Sequence, residues 1–390
     1  FFQAEDGIRA VERSRGLGDV YKRQQQFSEE RIAPHALEWD EDRKLPVDVL
    51  REAAELGMGG IYVSEDAGGS GLDRIDAALI FEALAKGDPS ISSFLSIHNM
   101  CAWMVDQFGD DTLRNKWAPK LCSMELISSY CLTEPGSGSD AAALKTRAVQ
   151  DGDNYILNGS KSFISGAGIS DIYIVMCRTG DESPHGISTR IVPKDTQGLS
   201  FGAQEKKMGW NAQPTSMVYF ENVHVPVANR IGVEGDGFKF AMAGLDGGRV
   251  NIAACSLGAA QSALDKALAY IHERHAFGKQ LAEFQALQFK IADMETELQA
   301  ARVFLYQAAW KLSNNFADAT KYSAMAKRLV TDVGFNVANE ALQLHGGYGY
   351  LTEYGIEKIV RDLRVHQILE GTNEIMRVII SRAMLGRNVN

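Results

Sequence analysis

The chain has 390 residues, 45% hydrophobic and 23% charged, which is typical of a folded globular protein with more than one structural unit. Its net charge of −10 argues against a nucleic-acid binder, which would need a basic face. No apolar run reaches the ~18 residues that a membrane span requires. The five cysteines include no C-x-x-C pair, a pattern that favours reduced thiols over a disulfide framework.

The first 24 residues have no apolar stripe and resemble a translated sequencing adapter. We therefore expect residues 1–24 to be a non-native, adapter-derived segment and exclude them from the fold prediction. Any targeting peptide that originally preceded Gln25 would be hidden by this segment.

Residues 28–126 carry apolar side chains at spacings of three and four, as in VDVLREAAELG and IDAALIFEALAKG. This period predicts amphipathic helices. Asp88-Pro89 and Gly109-Asp110 interrupt the pattern, so we expect helices to end there. The predicted N-terminal helical domain covers residues 25–127.

Residues 128–233 contain short β-rich runs separated by Gly, Asp, Asn and Pro, with no helical pattern between them. Such spacing predicts an antiparallel sandwich or barrel over residues 128–234. Asp151-Gly152-Asp153 and Asn158-Gly159 are predicted to be hairpin turns.

The helical period returns at about residue 235 and continues almost to the end of the chain. Its apolar stretches are long for globular helices and predict a four-helix bundle over residues 235–390. There is no internal repeat or low-complexity linker, so we expect the three zones to pack as one unit.

The segment at residues 136–141, GSGSDA, matches the loose dinucleotide pattern G-x-G-x-x-A. That pattern requires a following helix and parallel strand, whereas a hairpin is predicted downstream. The segment is otherwise a plain surface turn or a glycine-rich loop at a sheet edge that offers backbone N–H groups to a cofactor.

Glu370 follows the apolar pair Ile368-Leu369 and precedes Gly371. An acid in apolar surroundings has a raised pKa and can act as a general base. The alternative is an exposed glutamate ahead of a helix that Thr372 or Asn373 caps.

Two further segments have both a structural and a ligand-binding interpretation. Residues 345–350, HGGYGY, are either a helix C-cap and turn or a backbone that passes close to a planar ligand. Arg274 either interacts with the dipole of the preceding helix or pairs with a pyrophosphate. The histidines and cysteines show no metal-ligand spacing.

Six motifs lie in order between residues 25 and 385: CLTEPGSGSD, LNGSKSFISGAG, GRVNIAACSLGAA, ERHAFGKQL, LQLHGGYGY and LEGTNEIMR. On these motifs the chain resembles the acyl-CoA dehydrogenase family over nearly all of its length. SIHNMCAWM, MGWNAQPT and LDGGR are most similar to the branch of this family that oxidises isobutyryl-CoA in valine breakdown.

The resemblance implies a mostly α fold with a central β-barrel, between a helical N-terminal domain and a C-terminal four-helix bundle. It also implies a homotetramer with FAD between barrel and bundle, in which several FAD contacts come from a neighbouring subunit. The residues implied to contact FAD are Tyr130, Cys131, Leu132, Thr133, Glu134, Pro135, Gly136, Ser137, Gly138, Ser139, Phe163, Ile164, Ser165, Arg274, Phe284, Gln285, Gln343, Leu344, His345, Gly346, Gly347, Thr372, Asn373 and Glu374. The residues implied to line the acyl-CoA path are Ser139, Asp246, Gly247, Gly248, Arg249 and Arg382.

The resemblance also implies that Glu370 is the base that removes the substrate α-proton. Some family members place this base at the position of Gly248, which cannot take a proton, so Glu370 is the matching carboxylate. The implied reaction converts isobutyryl-CoA to methacrylyl-CoA and passes electrons to electron-transfer flavoprotein, in the mitochondrial matrix or in a bacterial cytoplasm. Alternatives are 2-methylbutyryl-CoA or another short acyl-CoA as substrate, an acyl-CoA oxidase, and a non-enzymatic flavin- or DNA-binding relative.

Overall fold

The computed structural model describes residues 22–386 of the chain. Most of the segment predicted to be adapter-derived lies outside the described residues, so that prediction stays untested. A helical stretch at residues 22–27 continues through irregular turns as far as His35.

Five helices follow before the first strand: α1 (Ala36–Asp42), α2 (Val47–Glu55), α3 (Arg74–Gly87), α4 (Pro89–Phe108) and α5 (Asp111–Cys122). The side chain of Asp88 accepts hydrogen bonds from the first turn of α4, and Pro89 occupies the first helical position. The predicted helix breaks at Asp88-Pro89 and Gly109-Asp110 are therefore confirmed.

The middle of the chain forms eight strands: β1 (Ser128–Cys131), β2 (Arg147–Asp151), β3 (Asn154–Ser165), β4 (Ile172–Arg178), β5 (Ile187–Pro193), β6 (Leu199–Phe201), β7 (Thr215–Pro226) and β8 (Arg230–Ile231). The strand order is β6-β7-β3-β2-β4-β5-β8, and β1 pairs with β4. Most pairs are antiparallel, but β4 is parallel to both β1 and β2. The path has free ends at β6 and β8, so the expected closed β-barrel is corrected to an open, mixed sheet.

One of the two predicted hairpin turns is confirmed and the other is wrong. Residues 151–153 connect β2 to β3, with Gly152 at φ 58°. Asn158-Gly159, however, lies inside β3 at a register shift against β7. A Cβ atom on Gly159 would lie 2.6 Å from Oγ1 of Thr146, so this glycine permits close backbone packing within the sheet.

The C-terminal part contains three long helices, α6 (Gly237–Glu273), α7 (Gln285–Ser313) and α8 (Ala319–His345), and two shorter ones, α9 (Ile356–His366) and α10 (Asn373–Met384). Two minor strands, β9 (His275–Ala276) and β10 (Lys279–Gln280), connect α6 to α7. Helix α8 packs along α6 and α7, α9 crosses α6 and α8, and α3 packs on α6. One apolar core therefore joins the N-terminal helices to the C-terminal ones.

Candidate active site

Glu370 lies in the bend between α9 and α10. Glu370 and Gly371 both have positive φ, 58° and 89°, a conformation that is strained for glutamate. Thr372 then caps α10 by accepting a hydrogen bond from the N–H of Ile375. The sequence left open that Glu370 is an exposed residue ahead of a helix capped by Thr372. The cap is present, but Glu370 is only partly exposed.

One oxygen of the Glu370 carboxyl group is buried, although the residue as a whole is partly exposed. Its Oε2 atom is buried and has no hydrogen-bond partner among the described residues. Burial raises the pKa of Glu370 to about 7, and the positive charges of Arg249 and Lys327 limit this rise. Such a pKa suits a base that works near neutral pH.

Two cations hold the backbone of this bend. Nε of Arg249 donates to the carbonyl of Glu370 at 3.3 Å. Nζ of Lys327 donates to the carbonyl of Gly371 at 2.8 Å and to Oδ1 of Asn373 at 2.9 Å. The strained bend is therefore fixed from α6 on one side and from α8 on the other.

Helix α6 leaves room for the carboxylate because it carries glycine opposite Glu370. A Cβ atom on Gly248 would lie 2.1 Å from Oε2 of Glu370. Asp246 accepts a hydrogen bond from Nη1 of Arg249 at 2.7 Å and so orients the arginine. The predicted residues 246–249 and Glu370 thus come together, whereas Arg382 is exposed near the end of α10 and forms no hydrogen bond or ion pair with them.

In the loop after β1, the backbone at two glycines is uncovered, and a buried ion pair holds the start of the loop in place. Oε1 of the buried Glu134 accepts from Nζ of Lys161 at 2.8 Å, and Glu134 pairs with Ser137 in a tight turn. No described atom lies within 4 Å of where a Cβ atom would stand on Gly136 or Gly138. The segment leads into the β2–β3 hairpin, so the dinucleotide-fold interpretation is wrong and the cofactor-loop interpretation fits. Cys131 and Leu132 are buried, whereas Pro135 and Ser139 are exposed.

Phe163 stands out in β3 because a bulky aromatic there has φ 58° and a side chain that is 69% exposed. A register shift between Lys161 and Ile164 produces this bulge. Ile164 is buried and Ser165 is partly exposed. Tyr130 stands on β1 near Glu370, whose charge adds to burial in raising the pKa of Tyr130.

A second group of the predicted FAD residues lines an open cavity of about 800 Å³ at the C-terminal end of α6. Arg274 and residues 343–347 lie in its wall. Gly346 ends α8 at φ 58°, and no described atom lies within 4 Å of a Cβ position on Gly346 or Gly347. The helix-end interpretation of residues 345–350 is therefore confirmed, and the ligand-binding interpretation stays a prediction for a segment that borders a cavity. Phe284 and Gln285, at the start of α7, are not part of this wall.

The structure does not bring the two groups of predicted FAD residues together within one chain. Helix α6 rises about 37 Å between Gly248 and its end at Glu273, at 1.5 Å per residue. The cavity at Arg274 is therefore far from Glu370. Thr372 and Asn373 lie beside Glu370, but the side chain of Asn373 is occupied by Lys327, Thr331 and Asp332, and Glu374 is exposed.

The residues present fit FAD. Open glycine backbones at the β1 loop and at the end of α8 suit a cofactor that carries phosphates and needs close backbone approach. The exposed, strained Phe163 suits an aromatic ring system. Among residues 22–386 there is no cluster of potential metal ligands and no helix long and apolar enough to cross a bilayer.

Sequence reasoning missed several buried polar residues around Glu370, namely Tyr62, Arg74, Asn251 and Lys327. Lys327 offered a signal, because it occupies the apolar face of α8 between Ala324 and Val330. A lysine at a buried helical position needs a partner, and here the bend at Glu370 provides it.

The chain is similar to known proteins over nearly its whole length. Three family models match the chain: the acyl-CoA dehydrogenase N-terminal domain over residues 19–125, the middle domain over 129–223 and the C-terminal domain over 235–385. Mitochondrial isobutyryl-CoA dehydrogenase of Bos taurus is 54% identical over 382 residues, which cover 97% of this chain and 92% of the relative. The Dictyostelium discoideum protein of the same name is 56% identical, covering 92% and 86%.

A solved structure of another acyl-CoA dehydrogenase has the same fold. Butyryl-CoA dehydrogenase from Megasphaera elsdenii superposes with a TM-score of 0.92 at 39% identity, covering 95% of this chain and 98% of that one. The chain therefore belongs to the acyl-CoA dehydrogenase family and is an FAD-dependent enzyme that oxidises a CH–CH bond of an acyl-CoA.

Proposed function

We propose that this enzyme converts isobutyryl-CoA to methacrylyl-CoA in valine catabolism, with Glu370 as the base. The two isobutyryl-CoA dehydrogenases that are 54% and 56% identical support the substrate. The observation that carries the base assignment is the buried Oε2 of Glu370, which lacks a hydrogen-bond partner and belongs to a carboxyl group with a pKa of about 7.

In the proposed mechanism, Glu370 removes the α-proton while its N–H donates to the thioester carbonyl. A fixed donor at this position stabilises the negative charge that develops on the carbonyl oxygen. The bound FAD would accept the β-hydrogen as hydride. Arg249 and Lys327 hold the bend, so the carboxylate keeps its position as the proton is transferred.

The cofactor would be held by residues of two chains. Tyr130 to Ser139, residues 163–165 and residues 372–374 would contact it from the chain that carries Glu370. Arg274, Phe284, Gln285 and residues 343–347 would contact it from a neighbouring copy, because about 37 Å of α6 separates this group from Glu370. A homotetramer supplies such a neighbour.

The proposed electron acceptor is electron-transfer flavoprotein, and the proposed compartment is the mitochondrial matrix, as in the two relatives named mitochondrial. The proposed domain boundaries are 25–127, 128–234 and 235–390, and Ser139 and Arg382 are proposed to meet the CoA part of the substrate.

The test is dye reduction by the purified enzyme across acyl-CoA thioesters. We expect the highest kcat/KM for isobutyryl-CoA, and a Glu370→Gln variant that keeps FAD but loses about 10²–10⁴-fold in kcat. A higher kcat/KM for 2-methylbutyryl-CoA or another short acyl-CoA would replace the proposed substrate. Normal flavin bleaching in Glu370→Gln would refute the base assignment.

A further inference from the structure

Arg74 is a buried cation whose role the mechanism above does not explain. It lies in the first turn of α3 and is 8% exposed. Its guanidinium carbon is 3.7 Å from the ring centre of Tyr62 and 4.8 Å from that of Trp103. Within residues 22–386 no carboxylate lies at ion-pair distance from it, and the charge of Asp246 acts on it only from further away. A buried charge without a paired opposite charge is costly, so its position calls for an explanation.

Arg74 and Glu370 contact adjacent residues of α6. A Cβ atom on Gly247 would lie 2.6 Å from Nη1 of Arg74, just as one on Gly248 would meet the Glu370 carboxylate. The two glycines thus leave room for the guanidinium and for the base side by side. The acyl part of the substrate must lie against Glu370, and Arg74 borders the same stretch of helix.

Asn251, one turn further along α6, links this region to Tyr62. Its Nδ2 donates to the hydroxyl of Tyr62 at 3.1 Å, and its Oδ1 is buried without a hydrogen-bond partner among the described residues. Tyr62 also lies close enough to Glu370 for the carboxylate charge to add to burial in raising the pKa of Tyr62. Tyr62, Arg74 and Asn251 form what we call the polar wall.

We propose that the polar wall closes the far end of the acyl site and that Arg74 is the residue that limits the substrate to short acyl chains. This inference rests on the proposed function, because it takes the acyl group to lie against Glu370. An alkyl chain that extended past the wall would have to displace a guanidinium held between two aromatic rings, or strip its remaining water. A short branched acyl group ends before it reaches the polar wall.

The experiment compares kcat/KM for isobutyryl-, butyryl-, hexanoyl- and octanoyl-CoA in the parent enzyme and in Arg74→Ala. We expect the hexanoyl-to-isobutyryl ratio to rise about tenfold or more, the scale on which one or two methylenes decide specificity in an apolar site. Arg51→Ala, which removes an exposed arginine from α2, is the matched control and keeps the parent ratio.

Arg74→Met provides a second variant, because it keeps side-chain length but removes the charge, and it is measured together with FAD content. If Arg74→Ala does not fold, a raised hexanoyl ratio in Arg74→Met still supports the proposal. Unchanged chain-length profiles in the variants that fold overturn it. Faster turnover of glutaryl-CoA than of isobutyryl-CoA by the parent would also overturn it, because Arg74 would then bind a substrate carboxylate. If the parent enzyme prefers another short acyl-CoA, only the proposed substrate is refuted. The change in chain-length preference between the parent and the Arg74 variants still tests the role of the polar wall.

Discussion

The carboxyl group of Glu370 occupies the space that a side chain at position 248 would fill. A Cβ atom at position 248 would lie 2.1 Å from Oε2 and 2.7 Å from Cδ of Glu370. The carboxylate can therefore reach the acyl site from the bend before α10 only because α6 carries no side chain at that point.

The first prediction follows from this occupied space. Gly248→Ala is expected to displace the carboxylate and to lower kcat about 10²-fold, the effect of a misplacement of about 1 Å. The double variant Gly248→Glu with Glu370→Gly moves the base to α6 and is expected to exceed either single variant in kcat. The measurement is steady-state dye reduction, with the flavin absorbance as a control for cofactor content. Full activity in Gly248→Ala would contradict the position of the Glu370 carboxylate.

The second prediction concerns pH. Glu370 is a base only when ionised, and its pKa is about 7, so kcat/KM is expected to rise with pH through about 7 and then level off. Lys327 lowers this pKa while it is charged, and burial lowers the pKa of Lys327 itself to about 7, so the inflection belongs to the pair. Lys327→Met removes that charge, so the pKa of Glu370 rises and the inflection moves to higher pH by about 1 unit.

Lys327→Arg is the matched control, because it makes the positive charge permanent and is expected to keep the inflection at or below the pH of the parent. If Lys327 served only to hold the fold, Lys327→Met would lower kcat/KM at every pH without moving the inflection. That result would show that the charge of Lys327 does not act on Glu370.

The third prediction separates strain from cofactor binding at Phe163. Phe163→Gly relieves a φ of 58° but makes the unfolded chain more flexible, so the free energy of unfolding is expected to change by less than about 1 kcal/mol. FAD is expected to dissociate more readily, because the exposed ring is lost. Equilibrium unfolding of the apoprotein and FAD titration measure the two effects. Asn222→Gly makes the same kind of backbone change at φ 53° in β7, where asparagine tolerates the left-handed conformation, and is expected to leave FAD affinity unchanged.

The fourth prediction concerns an ion cluster that joins the N-terminal and C-terminal helices. Nζ of Lys358 lies 3.0 Å from Oδ2 of Asp88 and 2.7 Å from Oδ2 of Asp362, and all three side chains are buried. Lys358→Met leaves two buried carboxylates without their cation and is expected to cost about 3–5 kcal/mol of unfolding free energy. Lys86→Met, which removes a partly exposed pair with Asp265 at 3.7 Å, is expected to cost less than about 1 kcal/mol. Urea unfolding of both variants is the measurement, and equal losses would contradict the role of the cluster.

The sequence alone was sufficient to predict the order of helices, strands and helices, because side-chain periodicity reports which face of each element is buried. It also placed the helix breaks at Asp88-Pro89 and Gly109-Asp110, where local capping decides the outcome. The apolar neighbours of Glu370 and the glycine after it made this carboxyl group a candidate base, and the resemblance to the family favoured that interpretation over an exposed glutamate.

The remaining features depend on how the helices and strands pack against one another. Asn158-Gly159 has the local preference of a turn, but pairing with β7 and contact with Thr146 keep it within a strand. The free ends of the sheet, the bracing of Glu370 by Lys327 and the burial of Arg74 beside Gly247 all depend on contacts between segments distant in the chain. Whether a charged side chain is solvated or buried is decided by the elements that pack around it, and a single sequence does not encode that packing in any local pattern.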